Sequence, residues 1–159
     1  MKRYFCMAIL LIMTISLTSC SEAPQVDADF SATFAAKIDE AEYAGDITAD
    51  ESGLSITMTQ PYTVQGMRFD YYGGALSVDY GGHSVRADTG YLPCENVASA
   101  LHETLAYLNQ AEYRETKDGE DSFTLPTPHG SVALTAKDGA LQTMTVPEYR
   151  MTFTFEPIG

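Results

Sequence analysis

Tryptophan is absent from these 159 residues, and cysteine occurs only three times. The usual aromatic anchor of sugar-binding clefts is therefore missing. With so few thiols there is neither a disulfide framework nor a thiolate metal cluster. Basic residues are scarce, nine against 22 acidic, for a net charge of −13. Such a chain repels phosphate backbones, which excludes nucleic acid as a partner. The longest apolar run, Phe5 to Leu17, is too short for the ~20 residues of a spanning helix.

Catalytic and metal-binding patterns are missing too. His83, His102 and His129 are isolated, with no HxH or HExxH spacing. No G-x-S-x-G elbow is present. Asp118-Gly119-Glu120-Asp121 lacks the ligand spacing and terminal glutamate of a calcium loop and reads as a hairpin turn. No catalytic residue, metal ligand or cofactor is expected, and the chain reads as non-enzymatic.

What is present begins with the leader. Lys2 and Arg3 precede the apolar run, which ends at Leu17-Thr18-Ser19-Cys20. A charged start and a short apolar segment are the anatomy of a secretory signal. The ending resembles the lipobox of bacterial lipoproteins, an aliphatic residue three positions before a cysteine with small residues between. The resemblance implies a signal peptide over 1–19 and a thioether-linked diacylglycerol on Cys20. The protein would then be held by lipid on the extracytoplasmic face of the cell membrane. Two chains, each contributing about 0.8 kcal/mol per buried methylene, anchor a domain without a spanning segment. The leader holds two basic and no acidic residues, so the mature chain carries about −15. It stands off from anionic lipid unless tethered to it. Cys94 is left without a partner. It follows Pro93 beside Glu95, where a neighbouring carboxylate disfavours the thiolate, and it reads as a small apolar side chain.

Residues 20–29 are small, polar and acidic and read as the lipidated end and its tether. The domain spans 30–159. Phe30, Ala32, Phe34, Ala36 and Ile38 alternate with smaller or polar residues, the period of a half-buried strand. The alternation resumes at Tyr43–Ala49, Leu54–Met58, Met67–Tyr71, Leu76–Tyr80 and Val85–Ala87. Gly73-Gly74 and Gly81-Gly82 supply the positive φ of tight hairpins. Pro61 ends the third strand because it cannot donate to a ladder. The period then changes. Val97, Leu101, Leu105 and Leu108 lie on one stripe, with Ala98, Ala100 and Ala106 beside them. Glu95, Ser99, His102 and Glu103 fall elsewhere. The spacing predicts one amphipathic helix over 95–109, with its stripe on the sheet. Strand signals return at 112–117, 122–125, 130–136, 140–146 and 149–155. The expected fold is mainly β: about eleven antiparallel strands, curved as a half-barrel around one principal helix.

An eleven-stranded sheet with a helix after the sixth strand resembles the lipoprotein-localisation-factor superfamily. Its half-barrel is shared by lipoprotein carriers and by sensors that detect lipoproteins. No amphipathic helix precedes the first strand here, unlike in the carriers. The fragment Gln60-Pro61, followed by Gly66-Met67-Arg68-Phe69, is similar to small Gram-positive lipoproteins. The resulting expectation is a cavity between sheet and helix for an apolar ligand or a lipidated or peptide partner. Its candidate lining is Phe69, Tyr71, Leu76, Val78, Leu101, Leu105, Met151 and Phe153. The alternative is a structural or protein-interaction lipoprotein whose core is filled.

Overall fold

A computed structural model describes residues 23–88 and 96–158. The leader, Cys20, Cys94 and Glu95 lie outside the described residues. Eleven strands form one antiparallel sheet. They are β1 (Phe30–Ile38), β2 (Ala41–Asp50), β3 (Gly53–Gln60), β4 (Arg68–Tyr72), β5 (Ala75–Tyr80), β6 (His83–Asp88), β7 (Glu112–Lys117), β8 (Glu120–Thr127), β9 (Gly130–Lys137), β10 (Ala140–Val146) and β11 (Met151–Pro157). Their spatial order is β6-β5-β4-β3-β2-β1-β11-β10-β9-β8-β7. The first and last strands therefore pair at the centre, with Phe34 opposite Phe155 and Ala36 opposite Phe153. The two strands that flank the helix in sequence, β6 and β7, form the free edges. The sheet is an open half-barrel, as the alternation predicts.

Its strands exist because one face is apolar and the other is not. Along β1, Ala32, Phe34 and Ala36 are buried while Ser31, Thr33, Ala35 and Lys37 are exposed. Along β11, Met151, Phe153 and Phe155 alternate with Thr152, Thr154 and Glu156 in the same way. A slip of one residue in either strand would turn this whole set outward, so the register is pinned by burial. Both edges are exposed and carry charges (Arg86 and Asp88 on β6; Glu112, Arg114, Glu115 and Lys117 on β7), which discourages pairing with another chain.

Between the edges the described residues carry one α-helix, α1 (Val97–Leu105), followed by a 3-10 turn at Leu108–Gln110. The helix is shorter than the predicted 95–109. It starts at Val97 because Asn96 caps it, its Oδ1 accepting from the Ser99 amide at 2.9 Å. After Leu105 the chain tightens: the Tyr107 amide bonds to the Thr104 carbonyl and the Gln110 amide to that of Tyr107. This tightening drops Leu108 into the core, where it is 6% exposed.

The polar side of the helix also differs from expectation. Ser99 and Thr104 are buried, and His102 and Glu103 are half-buried. A helix seated in a curved sheet is walled on more than one side, so its apolar stripe is not its only contact face. Ala98 and Ala100 are small enough to allow that close seating, at 2% and 1% exposure.

Two further boundaries moved. Val26 packs against the core, and the Asp27 amide donates to the Gly139 carbonyl at 2.9 Å. The last residues of the expected tether thus belong to the folded body. The final strand begins at Met151, because Pro147–Tyr149 form a 3-10 turn closed by Arg150 in the left-handed region at φ 51°.

Candidate functional site

The centre of the concavity is closed. Leu101 of α1, Phe153 of β11 and Met144 of β10 have no exposed surface, and Leu76 and Met151 are 1% exposed. Among the described residues, two clefts open at the two ends of the helix.

The first cleft, about 180 Å³, opens beside the N-terminal turn of α1. Val97 and Ala98 form one wall. Ile38, Tyr43, Met58 and Phe69 come from the sheet, and Val64 and Met67 from the loop between β3 and β4. Of the nine described residues around it, only Asn96 and Tyr43 carry a polar side-chain atom. The loop is held in place by its own backbone: the Gly66 amide donates to the Met58 carbonyl and the Met58 amide to that of Met67. Tyr80 steadies it from β5, its hydroxyl donating to the Thr63 carbonyl at 3.2 Å. Two methionines in the lining give a wall that adapts to irregular apolar shapes.

The second cleft, about 230 Å³, lies at the other end of α1. Leu54, Leu105 and Leu108 form an apolar floor, Tyr71 and His102 a flat aromatic side, and Asp50, Glu51 and Ser52 a polar rim. Asp50 is already engaged, accepting from the amides of Ser52 and Gly53. The Ser52 hydroxyl, which also donates to it, and then those amides hold its carboxyl below the ordinary aspartate range.

Between the clefts a polar chain fastens the helix to the sheet. Asn96 Nδ2 donates to Ser99 Oγ at 2.9 Å, and Ser99 Oγ lies 3.5 Å from the Tyr71 hydroxyl. Burial pushes the Tyr71 phenol up, Ser99 partly opposing and nearby Glu103 adding to it. The imidazole of His102 stacks on Tyr71. Burial holds His102 below its ordinary range, with Glu103 opposing. On the far side of the helix, Glu103 Oε2 meets His129 Nε2 at 3.2 Å, and the His129 ring lies against Tyr149. Two of the three histidines thus lie against α1 or within it. Among the described residues no group of three or more His, Cys, Asp or Glu side chains could hold a metal.

The eight side chains expected around one cavity are not gathered in one. Phe69 lines the first cleft, Tyr71 and Leu105 the second, and Met151 a polar hollow bounded by Asp39, Glu148 and Arg150. Leu76, Leu101 and Phe153 are sealed in the core, and Val78 is half-buried beside it. Sequence reasoning missed Val64 and counted Met67 as a strand residue, whereas β4 begins at Arg68. The signal for Val64 was an apolar residue in the loop after Pro61, where no strand or helix requires it.

No family model matches the chain, and no curated protein does. Several solved structures follow a similar course. A protein of the LolA superfamily from Nitrosomonas europaea is 13% identical, with 86% of each chain covered and a TM-score of 0.45. An uncharacterised conserved protein from Thermus thermophilus is 12% identical over 82% of this chain and 78% of that one, at 0.49. The Mycobacterium tuberculosis lipoprotein LppX is 17% identical over 82% and 89%, at 0.38. Each likeness is one of fold and extends to nothing else.

Proposed function

We propose that this chain is a lipid-anchored, non-enzymatic envelope domain that holds one apolar chain end in the cleft beside the N-terminus of α1. The observation that carries the reading is the composition of that cleft: Met58, Val64, Met67, Phe69, Val97 and Ala98 converge on an open space with almost nothing polar to satisfy. Water gains little there. An apolar guest gains roughly 25 cal/mol per Å² of surface removed from water.

Volume sets the size of the guest. At about 180 Å³ the cleft lies below the 300–1,000 Å³ of a pocket that encloses a drug-sized molecule. It suits the end of a single acyl chain, with the rest outside. A carrier that swallowed a whole lipid would need the central space that Leu101 and Phe153 occupy. Extraction of the purified, unlipidated domain with organic solvent, followed by mass spectrometry, tests the reading. A stoichiometric single-chain lipid is the expected result.

The second reading is a protein-interaction lipoprotein with a filled core. The sealed centre around Leu101 favours it. An extract free of lipid would make it the better account.

A further inference from the structure

The second cleft has a chemistry that the first lacks. Its floor is apolar: Leu54 and Leu108 are buried and Leu105 is half-buried. One side is the Tyr71–His102 stack, in which Tyr71 is buried and the half-buried His102 ring borders the space. An apolar body placed there loses water on two sides. Charge enters at the rim, where Asp50 and Glu51 stand exposed in the turn between β2 and β3. None of the described residues around the cleft is Lys or Arg.

Two features fix the sign of the field. The Ser52 hydroxyl and the amides of Ser52 and Gly53 hold the Asp50 carboxylate in its turn and keep it ionised. The helix also ends at this cleft: Leu105 and Ala106 line it, and a helix C-terminus carries the partial negative charge of its last carbonyls. His102 does not oppose them, since burial keeps its ring neutral at neutral pH.

We propose that the second cleft binds a small organic ammonium ion, its apolar body on Leu54, Leu105 and Leu108 beside the His102 ring and its charge toward Asp50 and Glu51. Volume limits the body. At about 230 Å³ the cleft is smaller than the 300–1,000 Å³ that encloses a drug-sized molecule, so it suits one ring with a short amine arm. None of the described residues around the first cleft is charged, so the two clefts divide apolar ligands by charge. The site stands whatever the first cleft holds.

His102 is the reporter. The full-length chain, labelled with ¹⁵N-histidine in a neutral detergent, is titrated near neutral pH with 2-phenylethylammonium. Parallel titrations use 2-phenylethanol and 3-phenylpropionate, which carry the same ring and two methylenes with a neutral or a negative end. Salt at about 0.15 M screens charges more than ~8 Å away, which removes most of the pull of the net charge. The His102 ring signal is identified by its loss in His102→Phe. The ammonium should shift it saturably, and should bind roughly ten-fold more tightly than the alcohol, as an exposed ion pair and a helix terminus together allow. The carboxylate should bind more weakly still. Glu51→Gln should weaken the ammonium several-fold, whereas Glu42→Gln, at the other end of β2, should leave it unchanged. Absence of a saturable His102 shift overturns the site, and equal affinity for ammonium and alcohol overturns its charge selectivity. Equal weakening by the two glutamine variants would trace the attraction to net charge and overturn the role of the rim.

Discussion

The imidazole of His102 lies flat on the ring of Tyr71, with centroids 4.1 Å apart and planes 13° from parallel. This stack joins the only α-helix among the described residues to β4, and it makes the seat of the helix sensitive to acid. Burial lowers the affinity of His102 for a proton in the folded state, whereas the unfolded chain binds one near pH 6.5. The unfolded state therefore takes up more protons as pH falls through 6.5, and stability declines there. The contribution is complete above the unfolded value and is lost in the window below it. His102→Phe keeps a flat ring and removes the titration. Chemical denaturation at pH 7.5 and at pH 5.5 should show the wild type losing stability relative to His102→Phe as the pH drops. Equal losses would show that His102 binds its proton equally well in the folded and unfolded states.

Tyr71 gives the complementary effect in alkali. Its phenol is pushed up by burial, so the folded state keeps its proton above pH 10 while the unfolded chain releases it. Stability should therefore fall as pH rises past 10, and Tyr71→Phe should flatten that part of the profile. Thermal unfolding across pH 9–11 is the measurement.

Asn96 fixes where the helix starts, and its side chain bonds both the amide and the hydroxyl of Ser99. Asn96→Ala removes the cap and should cost about 0.5–2 kcal/mol. Asn96→Asp keeps an acceptor for the Ser99 amide and should recover most of that loss in urea melts.

Leu101 has no exposed surface, whereas Ala106 on the following turn is exposed. Leu101→Ala should cost about 2–5 kcal/mol, with the cavity left behind setting where in that range it falls. Ala106→Asp should stay within about 0.5 kcal/mol of the wild type. Similar effects from both would mean that the helix does not fill the concavity.

The strands were legible because a half-buried strand has the simplest pattern a sequence can carry. Ala32, Phe34 and Ala36, or Met151, Phe153 and Phe155, state their face by alternation alone. The turns were as clear: Gly73 and Gly74 take φ 60° and 75°, as tight hairpins require. The helix was legible as a helix but not in its surroundings. A period of 3.6 marks the most apolar stripe, and it cannot tell that a curved wall also encloses Ser99, His102 and Thr104. The candidate site was legible only in part, for the same reason. Met67 and Phe69 point to it by strand period, whereas Val64 reaches it through a loop whose path no local pattern encodes. Leu76, Leu101 and Phe153 have the side chains of a ligand pocket, yet they are buried in the core that the small helix closes.

The central claim is that the cleft between Val64, Met67 and the start of α1 binds an apolar chain end. Titration of the unlipidated domain with a fluorescent fatty acid tests it most directly, with Val64→Trp as the blocking variant, since Val64 is half-buried on the rim and its turn carries no core residue. The account predicts saturable binding of one probe per wild-type domain, and loss of that binding in Val64→Trp with the circular dichroism spectrum unchanged. No saturable binding to the wild type, or equal binding by both proteins, would contradict it.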